Sequence, residues 1–480
     1  MGCLTDDYSL CGFIHKDKKE LNMSNTYNPS NTINFDSFEN NDNKNNEKII
    51  ININNINNAN NNIQNLQNDF PEEKDNIINF DKNLCKKKFN TLPKREKTTL
   101  RNLKDTFKEK TNNLLDVEKA YVIFLWICDN ISYDANSLYA GRIVDCTPNG
   151  TFKNGKSVCS GYARLFQDIG QYIGLEIENI SCYSKGEGYE PGDDLQTTNH
   201  EYNIIKLNNK YYPIDSTWGA GNLEKRKFKK QLNEFYFLPD PELLIKTHFP
   251  ANKKWQLTKK VYTKEEFLKW PNINNNFYLF GFNKYTPEEG YIELSNINTQ
   301  KFIIWGDDIS KKSVSSSIYL LNENTYYQQL NLDCINFYDE KVEFEFIFNK
   351  KGRYKINIFG NNKEEKIAHL MMTYIISVQN NSLKELKFPV FYSDAKEINL
   401  IEPKYDNIKY GQKTKFKIKS KLDTIIIIDG NWHYVNNDGE DIFEDEFTIK
   451  TEPGKNVIIA KRKDNNDCSC SYMVAYTVLA

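Results

Sequence analysis

No stretch of this sequence stays apolar for long enough to span a bilayer, which excludes a helical membrane span within it. No secretory leader is legible at its start. The ten cysteines (3, 11, 85, 128, 146, 159, 182, 334, 468 and 470) show neither a disulfide framework nor the paired spacing of a zinc site, and Cys468-Ser-Cys470 is too close for an ordinary disulfide. This usage predicts a reducing, cytoplasmic compartment and gives no reason to expect a metal or other cofactor. Net charge is nearly absent at −2, which excludes capture of nucleic acid or of an acidic membrane by overall charge. Histidine is scarce, so the candidates for a general base reduce to His15, His200, His248, His369 and His433.

What is present is a thiol, an imidazole and a carboxylate in informative surroundings. Cys159 lies in Gly155-Lys-Ser-Val-Cys159-Ser-Gly-Tyr-Ala163, His200 in Asn199-His-Glu-Tyr-Asn203, and Asp215 in Pro213-Ile-Asp-Ser-Thr-Trp-Gly219. A thiolate that attacks, an imidazole that moves the proton and a carboxylate that fixes the imidazole's tautomer are the needs of acyl transfer on cysteine. After Cys159, the residues Leu165, Phe166, Ile169, Tyr172 and Ile173 recur at helical spacing. The cysteine should then open a helix, where backbone amides and macrodipole favour a thiolate. Alternation predicts strands at 178–183, 201–207 and 210–215, with Asn208-Asn209 as a two-residue hairpin turn. His200 would begin one strand and Asp215 would end its hairpin partner. His15 sits in the N-terminal tail and His369 and His433 in the later β-rich half, leaving His248 as the alternative base.

Longer stretches of text carry a resemblance. They are Tyr121-Val-Ile-Phe-Leu-Trp126-Ile-Cys-Asp-Asn130-Ile-Ser-Tyr133-Asp134, Ile214-Asp-Ser-Thr-Trp218-Gly-Ala-Gly221, Phe235-Tyr-Phe-Leu-Pro-Asp240-Pro-Glu242, and Thr247-His-Phe-Pro250 followed by Trp255-Gln-Leu257. Together with the order Cys, His, Asp they resemble the transglutaminase-like (papain-like) superfamily, in its kyphoscoliosis peptidase and hillarin branch. The resemblance runs from about Asp116 to Leu257 and more weakly beyond. It implies an α+β fold, with N-terminal helices and a catalytic helix packed on an antiparallel sheet. It also implies Cys159, His200 and Asp215 as the catalytic triad, His248 within a structural motif, and association with the cytoskeleton. An oxyanion hole should combine the backbone N–H of Cys159 with a side-chain donor. Trp126, Asn130 and Tyr133 are the candidates for that donor.

The flanks read differently. Residues from about Ser24 to Asp69 are dominated by asparagine and offer little apolar surface to offset ordering. Met1-Gly2-Cys3 presents a glycine for myristoylation and a cysteine for palmitoylation, a pair that would tether the chain to a membrane surface, although Asp6 stands where the acylation pattern wants Ser or Thr. Beyond about Trp270, short alternating segments such as 341–348, 352–359, 371–378, 414–419 and 424–428, separated by turn residues, predict two successive β-sandwich (Ig-like) domains. The Trp432-His-Tyr434 cluster reads as aromatic packing at a strand end. The expected organisation is a disordered region 1–90, a cysteine catalytic domain 91–270, and sandwiches 271–382 and 383–480.

The expected function is a peptidase or amidase acting on proteins through a thioacyl-enzyme, with the sandwiches positioning cytoskeletal partners. The alternatives are a transglutaminase joining Gln to amines and a catalytically idle adaptor. A peptide N-glycanase-type amidase shares the residue order but lacks its paired CxxC motifs here. The loop 184–198, with Gly186, Gly188 and Gly192, should line or gate the cleft. Its acids Glu187, Glu190, Asp193 and Asp194 read as a solvated loop before a calcium site.

Overall fold

The computed structural model describes residues 78–295, 297–321, 326–328, 332–379, 385–392, 398–434, 441–462 and 470–480. Gly2, Cys3 and the asparagine-rich tract lie outside them. At the heart of the first half is the helix Asp116–Asn130, which is buried on nearly every side from Val117 to Cys128. A helix apolar all round must be enclosed, and here the helices Lys82–Asn90 and Cys159–Tyr172 and a sheet enclose it. Its first turn is held by Glu118, whose carboxylate accepts from the amides of Leu115 (2.9 Å) and Asp81 (3.2 Å). That carboxylate therefore caps the central helix and ties the preceding one to it.

The sheet is antiparallel, with four strands ordered Lys210–Ile214, His200–Leu207, Ile177–Ser184 and His248–Pro250. The hairpin at Asn208-Asn209 forms as its sequence predicts. Both residues take positive φ (49° and 63°), as a two-residue turn matched to strand twist requires. One face, with Ile177, Ile205, Leu207 and Ile214, closes the main core. A smaller apolar cluster joins Ile180, Cys182, Tyr202 and Ile204 to Tyr236 and Leu244.

Beyond Trp270 the described residues form four further sheets. A four-stranded sheet (Phe282–Thr286, Thr299–Gly306, Lys341–Ile347, Asp333–Phe337) shares one core with a larger sheet built on Lys312–Leu321, Gly352–Asn362 and His369–Val378. A second pair follows, five strands from Val390–Phe391 to Cys470–Thr477 and three from Ile398–Glu402 to Ile442–Thr448, with their own core. The α+β core followed by sandwiches is thus the architecture expected from the sequence. Strand Asn431–Tyr434 is an edge strand after the Asp429-Gly430 turn, and His433 packs on Phe447 at 4.9 Å.

One close approach joins the central helix to the segment after Asp215. A Cβ on Gly219 would stand 2.4 Å from the Phe124 ring and 3.3 Å from Cys128 Sγ. Gly219→Ala should therefore destabilise the chain by about 1–3 kcal/mol through overpacking. Combined with Phe124→Leu, it should cost less than the two single changes summed. A double-mutant cycle of urea midpoints checks this, and strict additivity would contradict the contact.

Candidate functional site

Cys159 is the first residue of the helix Cys159–Tyr172, preceded by extended Val158, so its amide lies at the positive end of the helix dipole. The first turn packs too tightly for any side chain at Gly161, where a Cβ would meet Ser157 Oγ at 2.0 Å and Thr151 Oγ1 at 2.4 Å. Two contacts fasten this helix to the strand that begins with His200. Asn203 Nδ2 donates to the Ala163 carbonyl (3.0 Å), and Arg164 pairs with Glu201 at 4.0 Å. Tyr162 Oη donates to the Ile131 carbonyl at 2.9 Å, which anchors the helix to the short parallel ladder pairing Tyr133 with Ser157.

His200 and His248 arrive from opposite sides of one strand. Cys182 pairs with His200 across one ladder, and Ser184 pairs with His248 across the other. Asp215 follows the last pair of the hairpin, Asn203 with Ile214. Its amide donates to the Tyr236 carbonyl (2.9 Å), and its carboxylate caps the short helix Ser216–Ala220. Oδ1 accepts from the amides of Thr217 (2.8 Å) and Trp218 (3.1 Å). Oδ2 accepts from His200 Nε2 at 2.7 Å and from His248 Nε2 at 3.1 Å. The Thr247 hydroxyl lies 2.8 Å from the remaining nitrogen of His248. Trp218 covers both imidazoles, with centroids 5.8 Å from His200 and 4.4 Å from His248.

All four groups are buried: Cys159 is 3% exposed, His200 5%, Asp215 1% and His248 1%. Burial alone would push the Asp215 carboxyl up, but the two imidazoles more than reverse this and hold it well below the usual range. For His248 burial dominates and pulls the imidazole down, against the opposing effect of Asp215, so it is neutral near pH 7. The ligand atoms of His200, Asp215 and His248 lie within 4.8 Å of one another, close enough to hold a metal ion. The 2.7 and 3.1 Å separations from Oδ2 are hydrogen-bond lengths, so the same atoms are satisfied by protons.

The other predicted residues are placed as follows. Trp126 Nε1 donates to the Pro93 carbonyl (2.9 Å). Asn130 accepts from the Arg95 amide (3.0 Å) and donates to the Trp126 carbonyl (2.9 Å). Both side chains thus hold the segment before the central helix, whereas Tyr133 lies beside Ser157, in the strand leading to Cys159. The loop before His200 is closed at its base by the Asn199 side chain, whose Oδ1 accepts from Ser184 N (2.6 Å) and whose Nδ2 donates to Ser184 O (3.0 Å). Of its acids, Glu190 is ion-paired with Lys355 (3.2 Å) and Arg353 (3.9 Å) of the first sandwich, which departs from the solvated reading. The backbone of Gly186 stands against Trp218. Lys185, which sequence reasoning passed over, is buried and donates to the Trp270 carbonyl (2.8 Å) while lying over the Phe267 ring (4.5 Å).

Comparison with known proteins agrees with the expected family. Residues 101–216 match the family model of the transglutaminase-like superfamily, a span that contains Cys159, His200 and Asp215. A kyphoscoliosis peptidase of Homo sapiens is 34% identical over 184 residues, 38% of this chain and 28% of that protein. The kyphoscoliosis peptidase of Mus musculus is 29% identical over 253 residues, 52% of this chain and 37% of that protein. Hillarin of Drosophila melanogaster is 28% identical over 191 residues, 37% of this chain and 23% of that protein. The chain spans well under half the length of each.

The depressed Asp215 carboxyl has a consequence for stability. Its folded value lies below the unfolded value of about 3.9, so its contribution is complete above that pH and is lost as pH falls further. Asp215→Asn should remove a slope approaching 1.4 kcal/mol per pH unit from the acid limb of stability, read by urea unfolding from about pH 5 down to about pH 3. An unchanged slope would mean that the carboxyl is not ionised in the folded state.

Proposed function

We propose that this chain, whose residues 101–216 carry a transglutaminase-like domain related to kyphoscoliosis peptidase, is a cysteine acyl-transfer enzyme acting on protein amides. One observation carries the reading. His200 spends Nε2 on Asp215, which leaves Nδ1 for a thiol, and the helix that Cys159 opens is bonded to the strand that His200 begins. The Cys159 thiolate attacks the carbonyl, and the oxyanion is met by the Cys159 amide at the helix terminus. The imidazolium of His200 protonates the departing amine, leaving a thioester. Neutral His200 then takes a proton from water, whose oxygen attacks the thioester; the acid leaves and the thiol is restored. Asp215 holds the imidazole in the required tautomer throughout.

A lysine amine in place of water would give transamidation by the same residues. Hydrolysis is the reading favoured by the relatives, two of which bear the name peptidase. A second reading, a binding module whose site is idle, is favoured by the 3% exposure of Cys159. Further elements of the proposal are cytoskeletal partners bound by the sandwiches, a first domain that ends at about 270 and begins before the expected 91, because the helix Lys82–Asn90 buries Cys85 in its core, sandwiches at 271–382 and 383–480, a cytoplasmic location, and a membrane tether through acylated Gly2 and Cys3. Among the described residues no helix is long and apolar enough to cross a membrane.

Alkylation of Cys159 with iodoacetamide, followed by mass spectrometry across pH, separates the readings. The enzyme should react fast at about pH 6, and His200→Ala should react only as the pH approaches the ordinary thiol value of about 8.5. Identical profiles rising near that value in both proteins would sink the enzyme and leave the binding module.

A further inference from the structure

We infer that His248 is a positioning residue for the proposed thiol chemistry: as a neutral imidazole it locks the Asp215 carboxylate in the orientation that His200 needs. The inference rests on the catalytic reading above and adds a fourth side chain to it. Asp215 Oδ1 is already fixed by two backbone amides, so the angle at which Oδ2 meets His200 depends on what else Oδ2 accepts. That second donor is His248 Nε2, on a ring whose plane stands 69° from that of His200 with centroids 5.1 Å apart. The two N–H groups therefore approach one oxygen from different directions and leave the carboxylate little freedom to turn.

The protonation of His248 follows from its other partner. If the Thr247 hydroxyl donates to Nδ1, that nitrogen carries no hydrogen and the single proton of the neutral ring sits on Nε2, facing Asp215. The hydroxyl's alternative acceptor, the Leu244 carbonyl, is longer at 3.3 Å. Neutrality matters because His200 must carry the positive charge when the thiolate forms. A second imidazolium on the same oxygen would repel the first and compete with it for the carboxylate. The titratable groups around His248 are Asp215, His200, Tyr202 (ring centroid 5.7 Å) and Tyr236 (6.2 Å). Burial raises both phenols, so near pH 7 Asp215 is the one anion among them. The ring is fully enclosed by Trp218, Tyr202 and Tyr236, so its place is set by packing and its role by the carboxylate.

The test uses the full chain and iodoacetamide alkylation of Cys159 across pH, in His248→Leu, His248→Gln and Thr247→Val. Leucine removes the donor, and alkylation at about pH 6 should fall roughly tenfold or more, the fast range beginning at higher pH. Glutamine retains an N–H but cannot take a proton; it should restore most of the rate and lose the acid fall-off that protonation of His248 adds in the wild type. Thr247→Val, which keeps the ring and removes only the hydroxyl beside Nδ1, should displace the acid fall-off from its wild-type position. A purely structural histidine would give a leucine defect that glutamine does not repair and an unmoved profile in the valine variant; that pattern overturns the inference. If leucine does not fold, the glutamine and valine profiles decide, and two wild-type profiles overturn it. Wild-type profiles in all three variants, beside a fast reaction lost in His200→Ala, would overturn the inference and leave the triad standing. No fast reaction in the wild type would overturn both.

Discussion

A carboxylate whose side chain has no exposed surface cannot remain ionised unless the protein replaces the water it has lost, and Asp215 is in that position. Four donors do so, two backbone amides on one oxygen and two imidazoles on the other. Each comes from a constraint elsewhere in the fold. The amides require the short helix Ser216–Ala220 to start where it does, and the imidazoles require two strands on opposite sides of Ile177–Ser184 to end together. The residue that orients the proposed base is therefore also the cap of a helix and the link of the hairpin to Tyr236. Loss of any of these local structures would leave a buried charge short of a partner.

Local signals were the legible part of the sequence. The helix after Cys159, the Asn208-Asn209 turn, the alternating strands and the sandwich segments all rest on periodicity or on residues suited to positive φ. His200 and Asp215 were also legible as neighbours, because a tight hairpin fixes which ends meet. The sharing of one Asp215 oxygen was not legible. It depends on His248 returning to the far edge of the sheet after Asp215, a long-range pairing that no local pattern encodes. Sequence placed Trp126 and Asn130 near the site by proximity along the chain, whereas their donors face Pro93 and the end of their own helix. Lys185 escaped for a similar reason, since a lysine in a glycine-containing polar loop reads as solvated until Phe267 and Trp270 are folded over it.

The two halves of the chain are not independent around the site. Strand Asn272–Ile273 joins the large sheet of the first sandwich through His369–Val378, directly after Trp270, whose carbonyl holds Lys185. The loop that leads into His200 is thereby attached at its base by Asn199 and along its length by side chains of the first sandwich. Its buried lysine lies well below the ordinary ammonium value, through burial first and then the nearby charge of Lys246.

The Glu190 contact bears on how the protein should be divided for experiment. A boundary drawn at about residue 270 looks natural from the core clusters, which separate cleanly there. A fragment ending at that boundary would nevertheless carry Glu190 with neither Lys355 nor Arg353 to pair with it, and with the surface that shields it in the intact chain removed. Such a fragment would test a differently tethered histidine loop, so an inactive excised domain would be silent about the intact chain.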